Sequence, residues 1–151
     1  MSAPAWNPRV VVAALVERDG KFLLVEEEAD GRLVFNQPAG HWERGETLVE
    51  ACARETMEET AHEFRPTGVL GLYVWTHEGK QKTFVRVAFT GEVGAHDPVR
   101  ALDKEIRRAV WLDVEEIRAL APRHRSPLVM RCIDDYLAGQ RHPLSLIAHF
   151  R

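Results

Sequence analysis

Cysteine is scarce in this chain: Cys52 and Cys132 are its only two in 151 residues. They have no C-x-x-C spacing and make neither a disulfide framework nor a zinc site. Cys52 falls on the apolar side of a predicted helix and reads as core. Long apolar runs are missing as well; the longest are strand length, too short to span a membrane as a helix. The N-terminus lacks a basic region followed by an apolar run, so no secretory leader is expected and the expected location is cytoplasmic. Nor is there an excess of positive charge. Twenty Lys and Arg stand against 23 Asp and Glu, a formal net charge of -3 at pH 7, which gives no general case for nucleic-acid binding. No glycine-rich phosphate loop follows a strand and the βαβ rhythm is absent, which disfavours a dinucleotide-binding domain. A Walker A motif is absent, and the histidines are scattered without H-E-x-x-H, which argues against zinc.

The residues that are present make a globular chain. Hydrophobic residues are 45% and charged residues 28%, enough for a sizeable core in one domain over residues 1–151. Met1–Pro8 reads as a lead-in whose Trp6 covers part of the core. Arg9–Val16 is β-branched and apolar, and with Lys21–Glu27 across the Asp19-Gly20 turn it predicts a β-hairpin. Glu26, Glu27 and Glu28 read as solvated surface, with the alternative that one of them faces the same cleft as the carboxylates of Gly40–Ala61. Leu33–Asn36 is a short strand. Val69–Thr76 and Thr83–Thr90 predict a second hairpin, and Gly91–Arg100 a loop. Ile106–Leu112 is a further strand, with Asp113 capping a short helix at Val114–Leu120. Ser126 and Pro127 start a helix over Leu128–Leu137 that Gly139 stops. In the tail, Leu144, Leu146 and Ile147 are expected to pack on the domain. The fold class expected is α+β, a mixed sheet with an acidic helix in mid-chain and a second helix late.

That acidic helix carries the chemistry. Thr47 and Glu50 have the spacing of a capping box, and the helix must end before Pro66. Leu48, Cys52 and Met57 predict its buried side. Glu55, Glu58 and Glu59 stand at i, i+3 and i+4, on one face, where like charges repel unless a cation lies between them. Clustered Glu oxygens suit Mg²⁺ or Mn²⁺. From spacing alone, a divalent metal site and a plain solvent-exposed acidic helix both remain open.

Gly40, Glu46, Arg54, Glu55, Glu58 and Glu59 fall at the spacing Gly-x5-Glu-x7-Arg-Glu-U-x-Glu-Glu-x-Gly-U, where U is a bulky aliphatic. In this the chain resembles the Nudix hydrolases. Three positions depart from the pattern: Thr56 and His62 replace aliphatics, and Ala61 replaces the second glycine. Ala61 implies a helix exit that does not strictly need positive φ. The resemblance implies a Nudix fold, a mixed sheet packed between helices in an α/β/α sandwich. It implies that Glu55, Glu58 and Glu59, helped by the Gly40 carbonyl, hold Mg²⁺, with Mn²⁺ a possible substitute. Glu46 and Arg54 would be a structural pair anchoring loop to helix. A further carboxylate from outside the box would serve as ligand or general base, with Glu105 the first candidate and Asp103 the second.

Phe35-Asn36-Gln37-Pro38-Ala39-Gly40-His41, Arg125-Ser126-Pro127-Leu128-Val129 and Gly139-Gln140-Arg141-His142-Pro143-Leu144 extend the likeness over nearly the whole chain, toward a phosphatase branch of the family. That branch implies release of inorganic phosphate from thiamine pyrophosphate, hydroxymethylpyrimidine diphosphate and nucleoside di- and triphosphates. The rival within the class is a nucleoside triphosphate or oxidised-nucleotide pyrophosphohydrolase releasing pyrophosphate. A Nudix-fold binding module without catalysis and an RNA-end processing enzyme are the other rivals. The expected partner is therefore a small pyrophosphate or nucleotide, with no membrane and no nucleic acid. Arg86, set opposite Val85 and Val87 on its strand, and Arg125 are candidate phosphate contacts. Trp42 and His41, in the catalytic loop, are candidate ligand contacts. Trp75 and Tyr73 could stack on a ring but read more readily as core.

Overall fold

The structure is a computed structural model in which residues 5–151 are described, so the first four residues of the expected lead-in lie outside the described residues. In chain order the strands and helices are β1 (Arg9–Leu15), β2 (Glu17–Arg18), β3 (Lys21–Ala29), β4 (Arg32–Asn36), β5 (Ala39–His41), α1 (Leu48–Thr60), β6 (His62–His77), β7 (Lys82–His96), β8 (Ile106–Asp113), α2 (Val114–Ala119) and α3 (Leu128–Leu137). One sheet has the order β5-β1-β7-β6; the other has β3 between β4 and β8, with β2 on the end of β3.

The expected first hairpin is not there. β1 leaves β3 and inserts between β5 and β7, parallel to β7 from Arg9↔Phe84 to Leu15↔Thr90. Only the short β2 ladder, Glu17↔Phe22 and Arg18↔Lys21, joins the two segments. The reason is in β1 itself: it is apolar at successive positions and therefore needs cover on both faces, as an interior strand has. Val12 and Ala14 pack toward Ala51 and Cys52 of α1, while Ala13 and Leu15 pack toward Ile117 of α2 and Cys132 and Ile133 of α3. The sheet thus lies between helices, the sandwich expected.

The second hairpin is longer than expected. β6 and β7 pair from His62↔His96 to His77↔Lys82, so Gly91–His96 is strand and not loop. Pro66 is accommodated at a register shift on β6, the outer strand of its sheet, where a missing N–H breaks no interior ladder.

α1 starts as its sequence predicts. The Glu50 amide donates to Thr47 Oγ1 at 3.1 Å and the Thr47 amide to Glu50 Oε1 at 2.8 Å. Its buried residues are Ala51, Cys52, Glu55, Thr56, Glu59 and Thr60, whereas Met57 and Leu48 are only half-buried. The helix therefore turns two carboxylates, Glu55 and Glu59, inward beside its small buried residues. The Thr56 hydroxyl is satisfied by donating to the Cys52 carbonyl at 2.8 Å, and Thr60 does the same to Thr56 at 2.7 Å. Ala61 leaves the helix at φ 57°, a left-handed exit that its lack of glycine did not predict.

Other corrections are local. Glu26 and Glu27 are buried, not solvated: Glu26 bonds Arg108 and Arg123, and Glu27 bonds Arg125. Trp6 is 77% exposed and covers no core. In the tail, Leu144 and Ile147 pack against the α1 side of the sheet, but Leu146 is exposed. Asp113 caps α2 as expected, Ser126 Oγ accepts from the Leu128 amide at 3.1 Å, and Gly139 takes positive φ after α3.

Candidate active site

β5 and the inward face of α1 meet at Gly40. A Cβ placed on this glycine would lie 2.1 Å from the Glu55 Cδ, so glycine is required here by contact with a carboxylate and not by φ. One residue earlier, the Ala39 amide donates to Glu59 Oε1 at 2.9 Å. β5 is thus laid directly on two of the three glutamates of α1, Glu55 and Glu59.

Arg54 locks the loop from the other side. Its Nε and Nη2 bond both Glu46 oxygens at 2.9 and 2.8 Å, and Nη2 also donates to the His41 carbonyl at 3.1 Å. The remaining nitrogen, Nη1, reaches Glu55 Oε1 at 2.9 Å and Glu58 Oε2 at 3.2 Å. Glu46 and Arg54 therefore pair as expected, with two-point geometry unlike a loose surface ion pair. The guanidinium beside Glu46 holds that carboxyl below its usual range.

Glu55, Glu58 and Asp103 bring carboxylate oxygens within 4.8 Å of one another. Asp103 reaches this cluster because its amide donates to the Glu58 carbonyl at 3.0 Å, tying the loop before β8 to the end of α1. Burial raises Glu55 to about 7, with Arg54 opposing, and raises Glu59 to about 9. Asp103 is also raised, by burial first and then by Glu58 and Glu105. Such groups are costly to keep ionised unless a cation joins them. Glu59 faces inward to Ala39, and Glu105 lines the adjoining cleft, with Asp103 and not Glu105 in the close cluster.

The cleft beside this cluster has a volume of about 500 Å³, and Gly40, Glu55 and Glu59 line one part of it. Arg86, His41 and Arg125 line it as well, so three of the four candidate ligand contacts come together. Trp42 does not line it; its indole Nε1 donates to the Glu46 carbonyl at 2.7 Å and braces the loop. Arg86 is 4% exposed and is held by neutral amides, Asn36 Oδ1 and Gln37 Oε1, each at 2.9 Å. Its Nε has no partner among the described residues. Gln37 in turn donates to the Val129 carbonyl of α3 at 2.9 Å. Burial lowers His41, and the neighbouring Arg9, Arg125 and Lys82 lower it further.

Tyr73 is core, as expected, with its hydroxyl donating to Asp135 Oδ2 at 2.7 Å. Trp75 is not: it stacks on Phe84, ring centroids 5.8 Å apart, and both rings form a wall of the cleft. Asn36, Gln37 and Phe84 are residues of the site that sequence reasoning did not single out, whereas Glu27 lines the cleft, as one reading of the Glu26–Glu28 run allowed. For Asn36 and Gln37 the available signal was two amides immediately before the Pro38 turn.

The NUDIX domain profile matches residues 6–132. The chain belongs to the NUDIX family. Phosphatase NudJ of Escherichia coli K12 is 42% identical over 145 residues, 96% of this chain and 94% of that protein. A NUDIX hydrolase from Nitrosomonas europaea superposes with a TM-score of 0.94 at 48% identity, over 95% of this chain and 98% of the other. A MutT NUDIX hydrolase from Burkholderia pseudomallei shares the fold, with a TM-score of 0.73 at 18% identity over 85% and 98% of the two chains. This NUDIX chain is a hydrolase of phosphorus-containing acid anhydrides. Its fold class is the one expected. Among the described residues no helix is long and apolar enough to cross a membrane.

Proposed function

We propose that this enzyme is a Mg²⁺-dependent phosphohydrolase that releases inorganic phosphate from thiamine pyrophosphate, hydroxymethylpyrimidine diphosphate and nucleoside di- and triphosphates. The observation that carries the reading is the meeting of three carboxylates, Glu55, Glu58 and Asp103, at the edge of a cleft whose other wall offers Arg86 and Trp75. Identity of 42% to a protein named as a phosphatase supports phosphate as the product released.

The donor set fits a hard divalent ion: oxygen ligands only, close enough to share one cation, with Glu55 pressed onto a glycine. Glu55, Glu58 and Asp103 would hold it, with Glu59 and the Gly40 carbonyl alongside. When bound, the ion neutralises phosphate charge and lowers the pKa of a bound water. Arg54 keeps Glu55 and Glu58 aligned through Nη1 while Glu46 fixes its other edge. Glu105, on the cleft wall, receives the proton of the attacking water. The water oxygen bonds to the terminal phosphorus as the bridging P–O bond breaks, so the organic monophosphate, or the diphosphate from a triphosphate, leaves with the bridging oxygen. Arg86 and Arg125 hold non-bridging oxygens, and Trp75 takes the ring of the organic part.

The test is a phosphate-release assay with Mg²⁺ on thiamine pyrophosphate, GDP and GTP, with and without added inorganic pyrophosphatase. Phosphate appearing directly from thiamine pyrophosphate or GDP is the expected result. Phosphate from GTP that appears only after pyrophosphatase is added refutes the reading.

A further inference from the structure

Beyond the Trp75–Phe84 wall the cleft opens into a second basin of about 240 Å³, and the two share His41, Trp75, Phe84, Asp30 and Arg125. The glutamates of α1 line only the first. The second is basic: Arg9, Arg32, Lys80, Lys82 and Arg125 line it, with Asp30 the single carboxylate. Asp30 is taken by Lys80 and Arg125 by Glu27. Arg32 donates to the Pro122 carbonyl at 3.1 Å. Arg9 and Lys82 are left with no carboxylate partner among the described residues.

The register explains why these two cations stand together. Arg9 of β1 is opposite Phe84 of β7, which is opposite Trp75 of β6, so all three point to one face of the sheet. Lys82 lies two residues from Phe84 on the same strand and so shares that face, as does its partner His77. The sheet therefore presents the aromatic pair with Arg9 beside it on the same rung, Lys82 two residues outward and Arg86 two residues inward.

We infer that the basin is a second phosphate subsite, which takes a phosphate carried by the organic part of the substrate at a distance from the anhydride that is cleaved. The inference rests on the reading above, in that the scissile anhydride is taken to lie against the α1 glutamates. No α1 glutamate lines the basin, so the phosphates cleaved against that cluster do not account for its cations. A nucleoside fits: its base packs on Trp75 and Phe84, and a ribose phosphate reaches Arg9 and Lys82. The substrate class is thus a nucleoside 5′-diphosphate bearing a further phosphate on its ribose.

Binding of ligands with no anhydride isolates this subsite from catalysis. Calorimetry would compare AMP with adenosine 3′,5′-bisphosphate, for the intact protein and for R9Q/K82Q. Both residues are exposed, and an unchanged melting temperature of the double variant serves as the folding control. The bisphosphate is expected to bind at least about tenfold more tightly than AMP, and the difference to vanish in R9Q/K82Q. Equal affinities in the intact protein, or a preference that survives in R9Q/K82Q, would overturn the subsite. So would equal weakening of both ligands, which marks diffuse attraction only. Failure to release phosphate from any diphosphate would instead refute the proposed reaction and leave this comparison standing.

Discussion

Gly40 and Glu55 are in such close contact that the smallest side chain cannot be placed between them: a Cβ on Gly40 would meet both Glu55 oxygens at 2.3 Å. G40A must therefore push the Glu55 carboxylate away from Glu58 and Asp103. The expected outcome is a fall of about 100-fold or more in kcat with Mg²⁺, since displacements near 1 Å at a reacting centre cost on that order. Steady-state phosphate release checks it, and wild-type turnover in G40A would refute the contact.

Glu58→Gln keeps the shape of a half-exposed side chain while removing its charge. We expect at least a ~100-fold loss of Mg²⁺-dependent turnover, with a melting temperature in the absence of metal no lower than that of the parent. Chelation with EDTA should abolish activity in the parent, and added Mg²⁺ should raise its melting temperature while leaving that of the variant unmoved.

Much of this site could be read from residue order alone. The Thr47–Glu50 cap and the helix over Glu55–Glu59 are local, set by neighbours within a few turns, whereas the Glu46–Arg54 pair is legible only through the spacing shared with the family. Asp103 was second to Glu105 because nothing in its surroundings reveals that its amide bonds the Glu58 carbonyl. The placing of β1 beside β7 was illegible for the same reason: an apolar strand announces burial on both faces but not which strand lies next to it. Trp75 read as core because alternation gives the face of the sheet, not whether a helix or a cleft covers it.

Ala61 stands in left-handed conformation at φ 57°. A61G relieves the Cβ strain of that exit, ~1–2 kcal/mol, and gives back ~0.5–1 kcal/mol in unfolded-chain entropy. Stability should rise by up to about 1.5 kcal/mol, read from the urea midpoint at constant m-value. A lower midpoint would contradict the strain.

Glu26 contributes to the loss of stability in acid. The Arg108 hydrogen bond, opposed by burial and helped by Arg123, lowers its pKa from an ordinary 4.5. A lowered folded pKa gives stability that is present above the unfolded value and is lost as pH falls through the folded one. Glu26→Gln should therefore cost about 1 kcal/mol at pH 7, the modest figure reflecting how exposed both arginines are. The gap between variant and parent should close below pH 4.5, in urea titrations run across that range.

The Gln37 amide has one further consequence. Its oxygen holds Arg86 and its nitrogen holds the Val129 carbonyl, so a single side chain joins the floor of the cleft to α3. The last part of the chain contributes no acid to the carboxylate cluster of Glu55, Glu58 and Asp103, yet it helps set where the buried Arg86 stands. A conservative change around Val129 would reach the cleft through Gln37 and shift Arg86, whereas loss of the helix would open the core that Val129, Cys132 and Ile133 fill. The position of the cleft cation is inherited from the frame and can be shifted without touching the glutamates.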